Sequence, residues 1–286
     1  EHNGCARVYA IAVELIRHSD SRLELPQLLQ FLNSYQRVAP LTIGELWAWP
    51  SMLKVALVEN LRRLAEELMT ARTARRAADR YLSVLEAVGR SHLPDDTGPT
   101  FIVQLLHRAR EFGLGLSTMR AVVDERLSAG ETTAEEAIRA EHQRQAVAQV
   151  SVANAVTSLR LCATLDWPDY VESISLVEHV LRRDPAGAYS DMDFLSRDQQ
   201  RRAVEEMART SGEGQVRVAL KAIENARQAA VRGSTADRAA HVGYHLVDRG
   251  RRDLEIDLGH RPRRLERARR VVRNHAPVFY LGSLVV

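Results

Sequence analysis

Lysine is almost missing from this chain. Of its 40 lysine and arginine residues only Lys54 and Lys221 are lysines, so nearly all the positive charge rests on guanidinium groups. Cysteine is scarce as well. Cys5 and Cys162 stand alone, outside any Cys-x-x-Cys pair, which excludes a disulfide framework and a thiolate metal knuckle and makes a reducing compartment the expected setting. Aromatic residues make up 5% of the chain and the net charge is only +3, so there is neither a base-stacking platform nor a strong positive field, and nucleic acid is not an expected partner. There is no phosphate-cradling glycine loop, no Gly-x-Ser-x-Gly elbow and no fixed repeat period. Alternating strand patterns are almost absent.

What remains is helical. With 45% hydrophobic and 27% charged residues in 286, the chain has the composition of one large or two ordinary globular domains. Apolar residues recur at three- and four-residue spacing at Leu25, Leu28, Leu29 and Leu32, again at Leu57, Leu61, Leu64 and Leu68, at Ile102, Leu105, Leu106 and Ala109, at Met119, Val122, Val123 and Leu127, and at Val216, Ala219, Leu220 and Ile223. Thr42 with Glu45, Thr133 with Glu136 and Ser196 with Gln199 have the spacing of capping boxes, in which a hydroxyl and a side chain three residues on each satisfy one orphan amide. Pro50 and the 94–99 proline cluster read as stops. The expectation is an all-α fold of roughly ten to twelve helices, an irregular multi-helix bundle or a degenerate α-solenoid. Residues 1–95 form an N-terminal helical part and 96–276 a central bundle ending in a basic juxtamembrane helix. Residues 145–159 carry no charge at all. A helix without a charged face is expected to be buried on more than one side, so this one is assigned as the central helix.

The C-terminal stretch concentrates arginine at Arg261, Arg263, Arg264, Arg267, Arg269, Arg270 and Arg273, ahead of Pro277 and an apolar run over 278–286. Basic residues beside an apolar run mark the cytoplasmic flank of a membrane span and attract anionic headgroups, so residues 277–286 are assigned as the start of a truncated transmembrane segment. The chain starts at Glu1 and stops inside that run, as expected of a fragment. Two short motifs suggest metal chemistry. Asp191-Met-Asp193 has the Asp-x-Asp form that holds a divalent cation on a nucleotide-sugar diphosphate, and His241 and His245 share a helix face at zinc-ligand spacing. Both fit more simply as helix-entry aspartates and a packing histidine pair, and Val242 stands where a zincin has glutamate. Carboxylates such as Glu135, Glu136 and Glu141 read as helix surface, with no pair singled out as acid and base. Trp47 and Trp167 lie beside turns as helix-end anchors. No catalytic, cofactor or metal residue is assigned.

Several segments, in order, resemble the region that precedes the glycosyltransferase part of bacterial cyclic β-1,2-glucan synthases. They are APLTIGELWA at 39–48 with ALVENLRRL at 56–64; AEHQRQA at 140–146 with QVSVAN at 149–154 and TSLR at 157–160; LVEHVLRRDPAG at 176–187 with Tyr189, Met192, Asp193, Phe194, Arg197 and Asp198; and HVGY at 241–244 with Arg249 and Gly250. The third is long and specific. The resemblance implies a cytosolic helical region on the cytoplasmic face of the bacterial inner membrane. Its parent enzyme would take glucose from UDP-glucose with a divalent cation, and its partners would be the rest of that synthase chain and, through the arginine segment, anionic lipid. The residues alone also fit a free-standing helical adaptor or a helical-toroid enzyme acting on glycosides.

Overall fold

The computed structural model describes residues 6–88, 98–112, 123, 133–233 and 237–259. Among these are eleven α-helices, one 3-10 helix at Arg238–Ala240 and no strand, which bears out the all-α expectation. The helices are α1 (Arg7–His18), α2 (Leu25–Gln36), α3 (Ile43–Val88), α4 (Pro99–Phe112), α5 (Ala134–Thr164), α6 (Trp167–Ile174), α7 (Leu176–Leu181), α8 (Phe194–Ser211), α9 (Gln215–Arg232), α10 (Val242–Val247) and α11 (Arg251–Asp257). The chain forms two compact units: residues 1–28 with 49–165, and residues 29–48 with 166–286. This differs from a division at 95/96. Leu82 before the proline cluster and Phe101, Ile102 and Leu105 after it belong to one apolar cluster, so burial joins what turn chemistry separates.

The first unit is built on α1, most of α3, α4 and α5. In α1, Val8, Ile11, Ala12, Leu15 and Ile16 are buried at three- and four-residue spacing. The Thr42–Glu45 capping box starts α3, with Thr42 N–H donating to Glu45 Oε2 at 2.8 Å and Glu45 N–H to Thr42 Oγ1 at 3.2 Å. The helix then runs through Pro50 to Val88 instead of stopping. Proline removes one helical hydrogen bond, but Leu46, Trp49 and Leu53, on one face astride it, are all buried, and that burial carries the helix across the gap.

Helix α5 corrects the expectation of a central, many-sided burial. The Thr133–Glu136 box starts it. Its buried residues form one narrow stripe of mostly small side chains, Ala137, Glu141, Ala148, Ser151, Ala155, Ser158 and Cys162, while Val147, Val150 and Val156 are exposed. By length and hydropathy it is the one described helix able to cross a membrane. Its stripe is instead used for a polar junction. Asp20 and Ser21, between α1 and α2, both have positive φ (47° and 64°), uncommon for residues with a Cβ. Side chains from α3 and α5 hold that turn. Asn154 Nδ2 donates to the Asp20 carbonyl at 3.1 Å, Ser158 Oγ donates to the Ser21 carbonyl at 2.6 Å and accepts from Leu23 N–H at 2.9 Å, and Asn60 Nδ2 donates to Ser21 Oγ at 2.6 Å. Glu141, expected on the surface, is buried against Arg144, Gln145 and Thr100.

In the second unit the central helix is α9, which packs against α7, α8, α10, α11 and the 3-10 helix. Ala219, Ala222 and Ala226 are fully buried along it, and their small side chains let neighbouring backbones approach. Helix α8 begins at Phe194, not at Ser196. Asp193 caps it, accepting from Ser196 N–H at 2.7 Å, so the candidate Ser196–Gln199 box lies inside the first turn.

The Ser158→Ala change leaves a buried N–H and a buried carbonyl without partners. It should lower unfolding free energy by about 2 kcal/mol, read from the urea midpoint; a midpoint equal to that of the parent chain would refute the junction's role.

Candidate functional site

The region of longest family resemblance folds into a charged core within the second unit. Glu172 lies on α6, Glu178 on α7, Arg182 at the end of α7, and Arg197 and Arg201 on α8. Arg197 and Arg201 are four residues apart, so one face of α8 presents both guanidinium groups; Glu178 and Arg182 share a face of α7 in the same way. The side chain of Glu178 is fully buried and that of Arg201 is 2% exposed. Arg201 Nη1 donates to Glu172 Oε1 at 2.7 Å and to Glu178 Oε2 at 2.8 Å, bridging the two carboxylates. Arg182 Nε reaches Glu178 Oε1 at 2.9 Å and its Nη2 reaches Glu172 Oε2 at 3.1 Å. Arg197 Nη2 donates to Glu172 Oε2 at 2.9 Å, and its Nη1 to the Met192 carbonyl at 2.6 Å. The buried Tyr189 hydroxyl completes the set, donating to Glu178 Oε2 at 2.7 Å. The Phe194 ring lies 5.0 Å from Arg201 Cζ and meets Trp47 edge-on at 6.0 Å, so Trp47 anchors a helix end against this core.

Burial alone would push the Glu178 carboxyl up. Hydrogen bonds from Tyr189, Arg201 and Arg182 outweigh it and hold the group below the usual glutamate range. Burial and the adjacent Glu178 raise the Tyr189 phenol well above its ordinary value, so it remains a donor. Arg201 is driven the same way as Arg182, upward, because its carboxylate partners more than offset its own desolvation. The chemistry of the arrangement is therefore fixed charge pairing. A carboxylate held ionised with donors on both oxygens does not serve as a proton donor near neutrality.

A second junction closes this unit. Asp184 accepts from Tyr189 N–H at 3.1 Å, from Val242 N–H at 2.9 Å and stands 2.7 Å from His241 Nδ1. Burial raises its carboxyl, and the His241 ring and the Val242 amide overcome that and lower it. The HVGY segment is thus explained by contact. A Cβ on Gly243 would lie 2.6 Å from His241 Nε2 and 2.9 Å from Gln200 Nε2, and one on Gly250 would lie 2.7 Å from the Tyr244 ring.

The candidates from sequence fall as follows. His241 faces Asp184, and His245 Nε2 stands 2.9 Å from the Ala239 carbonyl, so the pair is divided between two packing roles. Among the described residues no group of three His, Cys, Asp or Glu is placed to hold a metal ion. Asp193 is a helix cap, and Asp191 is exposed on the turn before it. Arg261, Arg263, Arg264, Arg267, Arg269, Arg270 and Arg273, and the apolar run from 278, lie outside the described residues. Sequence reasoning quoted LVEHVLRRDPAG but did not single out its charges. The available signal was Glu178 set among Val177, Val180 and Leu181, matched by arginines four apart downstream.

Fold and charged core together describe an all-helical, internally ion-paired segment. In sequence the chain is 32% identical over 268 residues, 90% of its length, to the cyclic beta-(1,2)-glucan synthase NdvB of Rhizobium meliloti (strain 1021). The resemblance to cyclic β-1,2-glucan synthases is thereby borne out, and the chain is a synthase-related segment. It spans 9% of that relative's length. No family model matches the chain.

Glu178 and Asp184 both have lowered folded values, so the stability they contribute is complete above their ordinary values, 4.5 and 3.8, and is lost as pH falls through the folded ones. Unfolding free energy should be nearly level from about pH 7 to about pH 5 and fall steeply below. Glu178→Gln should show a shallower acid slope in urea titrations at a series of pH values; an unchanged slope would remove Glu178 from the account.

Proposed function

We propose that this chain is an architectural segment of a cyclic β-1,2-glucan synthase, lying on the cytoplasmic face of the bacterial inner membrane. The identity to NdvB over 90% of the chain carries this reading. It is supported by where the quoted segments fall. LVEHVLRRDPAG contributes Glu178, Arg182 and Asp184 to the paired charges of the second unit and HVGY contributes His241 and the close contact of Gly243, while Asn60, Asn154 and Ser158 hold the turn of the first. These are roles in holding a shape. In this reading the whole enzyme takes glucose from UDP-glucose with a divalent cation and builds and cyclises the glucan, with its catalytic groups elsewhere in the longer protein. The segment's partners are the remainder of the synthase chain and, through Arg263, Arg267 and Arg270, anionic lipid.

The test is replacement. NdvB lacking the matched region should lose glucan synthesis in membrane fractions, and NdvB carrying this chain in its place should recover it. Reversing Arg263, Arg267 and Arg270 to glutamate should weaken binding of the 286-residue chain to vesicles that contain anionic lipid. A deletion that leaves synthesis at its original rate would overturn the architectural role.

A further inference from the structure

The first unit holds a feature that the architectural role does not use. Between α1, the Asp20–Ser21 turn, α3 and α5 lies a cleft of about 530 Å³, within the range of small-molecule sites. Its polar groups divide into two sets. Arg62 and Arg63 in the wall are already neutralised, Arg62 by Glu59 and Glu66 and Arg63 by Glu67. The Tyr9 hydroxyl, the Asp20 carboxylate and the Ser151 hydroxyl, by contrast, make no hydrogen bond or ion pair among the described residues. Ser151 is 8% exposed and lines the cleft, so a nearly buried hydroxyl is left for an occupant. Asp20 is held in place by the Asn154 contact to its own carbonyl.

These groups select a chemistry. An anion such as a phosphate would meet the unpaired Asp20 carboxylate, while Arg62 and Arg63 are engaged and Arg17 stands 3.8 Å from Glu14 at the exposed rim. A cation would meet Asp20 but also Arg17 at the same rim. A neutral molecule rich in hydroxyls suits all of them. Its hydroxyls donate to the carboxylate, exchange hydrogen bonds with Tyr9 and Ser151, and accept from Arg17. Its C–H faces meet the Tyr9 ring and the apolar side chains of Val13 and Ile16.

We propose that this cleft binds a short stretch of neutral oligosaccharide, with Tyr9, Asp20 and Ser151 as its principal contacts. The ligand class rests on the cleft; that the sugar is a β-1,2-glucan rests on the function proposed above.

The test titrates the 286-residue chain with linear β-1,2-linked gluco-oligosaccharide, with malto-oligosaccharide and with UDP, read by calorimetry. Saturable binding of the β-1,2-glucan at millimolar affinity or tighter is expected. Tyr9→Ala and Asp20→Asn should each weaken it by about tenfold. Asparagine tolerates the positive φ of position 20, so that variant keeps the turn and should leave the urea midpoint unchanged. Equal binding of both glucans, with the same losses, supports the ligand class and detaches it from β-1,2 linkage. No saturable binding of either glucan, tighter binding of UDP, or affinities that Asp20→Asn leaves unchanged would each overturn the proposal, while the replacement experiment on NdvB would stand or fall separately.

Discussion

Burying Glu178 beside Arg201 is the constraint around which the second unit is built. Either charge alone, taken from water into an apolar interior, costs several kcal/mol, about 3–5 when a partner is removed from a finished pair. Geometry offsets the cost at the carboxylates, while Arg201 Nε and Nη2 are left without hydrogen-bond partners among the described residues, Nη2 standing 3.6 Å from Asp198. Arg201 spans both glutamates, Arg182 and Arg197 close the remaining acceptor positions, and Tyr189 adds a neutral donor. Satisfying these bonds fixes the relative placement of α6, α7 and α8, and Tyr189 ties the 184–189 loop into the same arrangement. The loop in turn holds the start of α10 through Asp184. Hydrophobic packing on α9 supplies cohesion, but apolar contacts are not directional. The ion pairs specify which arrangement of short helices is adopted.

The first unit answers a related need without buried pairing of that density. Two consecutive residues of positive φ at 20 and 21 would be an uncommon turn, and it is stabilised by amide and hydroxyl side chains that reach it from α3 and α5. Ser158 both donates and accepts there, a use that only a hydroxyl of that size serves inside a stripe of small residues. Within the charge-free 145–159 part of α5 the buried stripe is small enough to let the turn approach and polar enough to satisfy it.

Much of the fold was legible. Helical periodicity, the caps at Thr42 and Thr133 and the absence of strands follow from local chemistry, and local chemistry decides them. What depends on tertiary context was not legible. The Ser196 box loses to Asp193, which sits three residues earlier and takes the same amide. Pro50 reads as a stop because the burial of Leu46, Trp49 and Leu53 cannot be seen locally. The division of the chain between residues 48 and 49 falls inside the unbroken helix α3, next to the Pro50 that reads as the end of a helix. The charged core was hidden for a deeper reason. Periodicity arguments send every charge to solvent, so Glu178 in a short helix passes for its polar face, and only the partners from α8 reveal that it is buried. The cleft at Tyr9, Asp20 and Ser151 joins residues more than a hundred positions apart and has no sequence signature.

The most direct test of this account is a double-mutant cycle on Glu178→Gln and Arg201→Met, with unfolding free energies from urea titration at neutral pH. Each single change should cost about 3 kcal/mol or more, and the double change far less than their sum, giving a coupling of about 2 kcal/mol. A coupling near zero, with the two costs simply adding, would mean that the pair does not specify the second unit and would contradict the account.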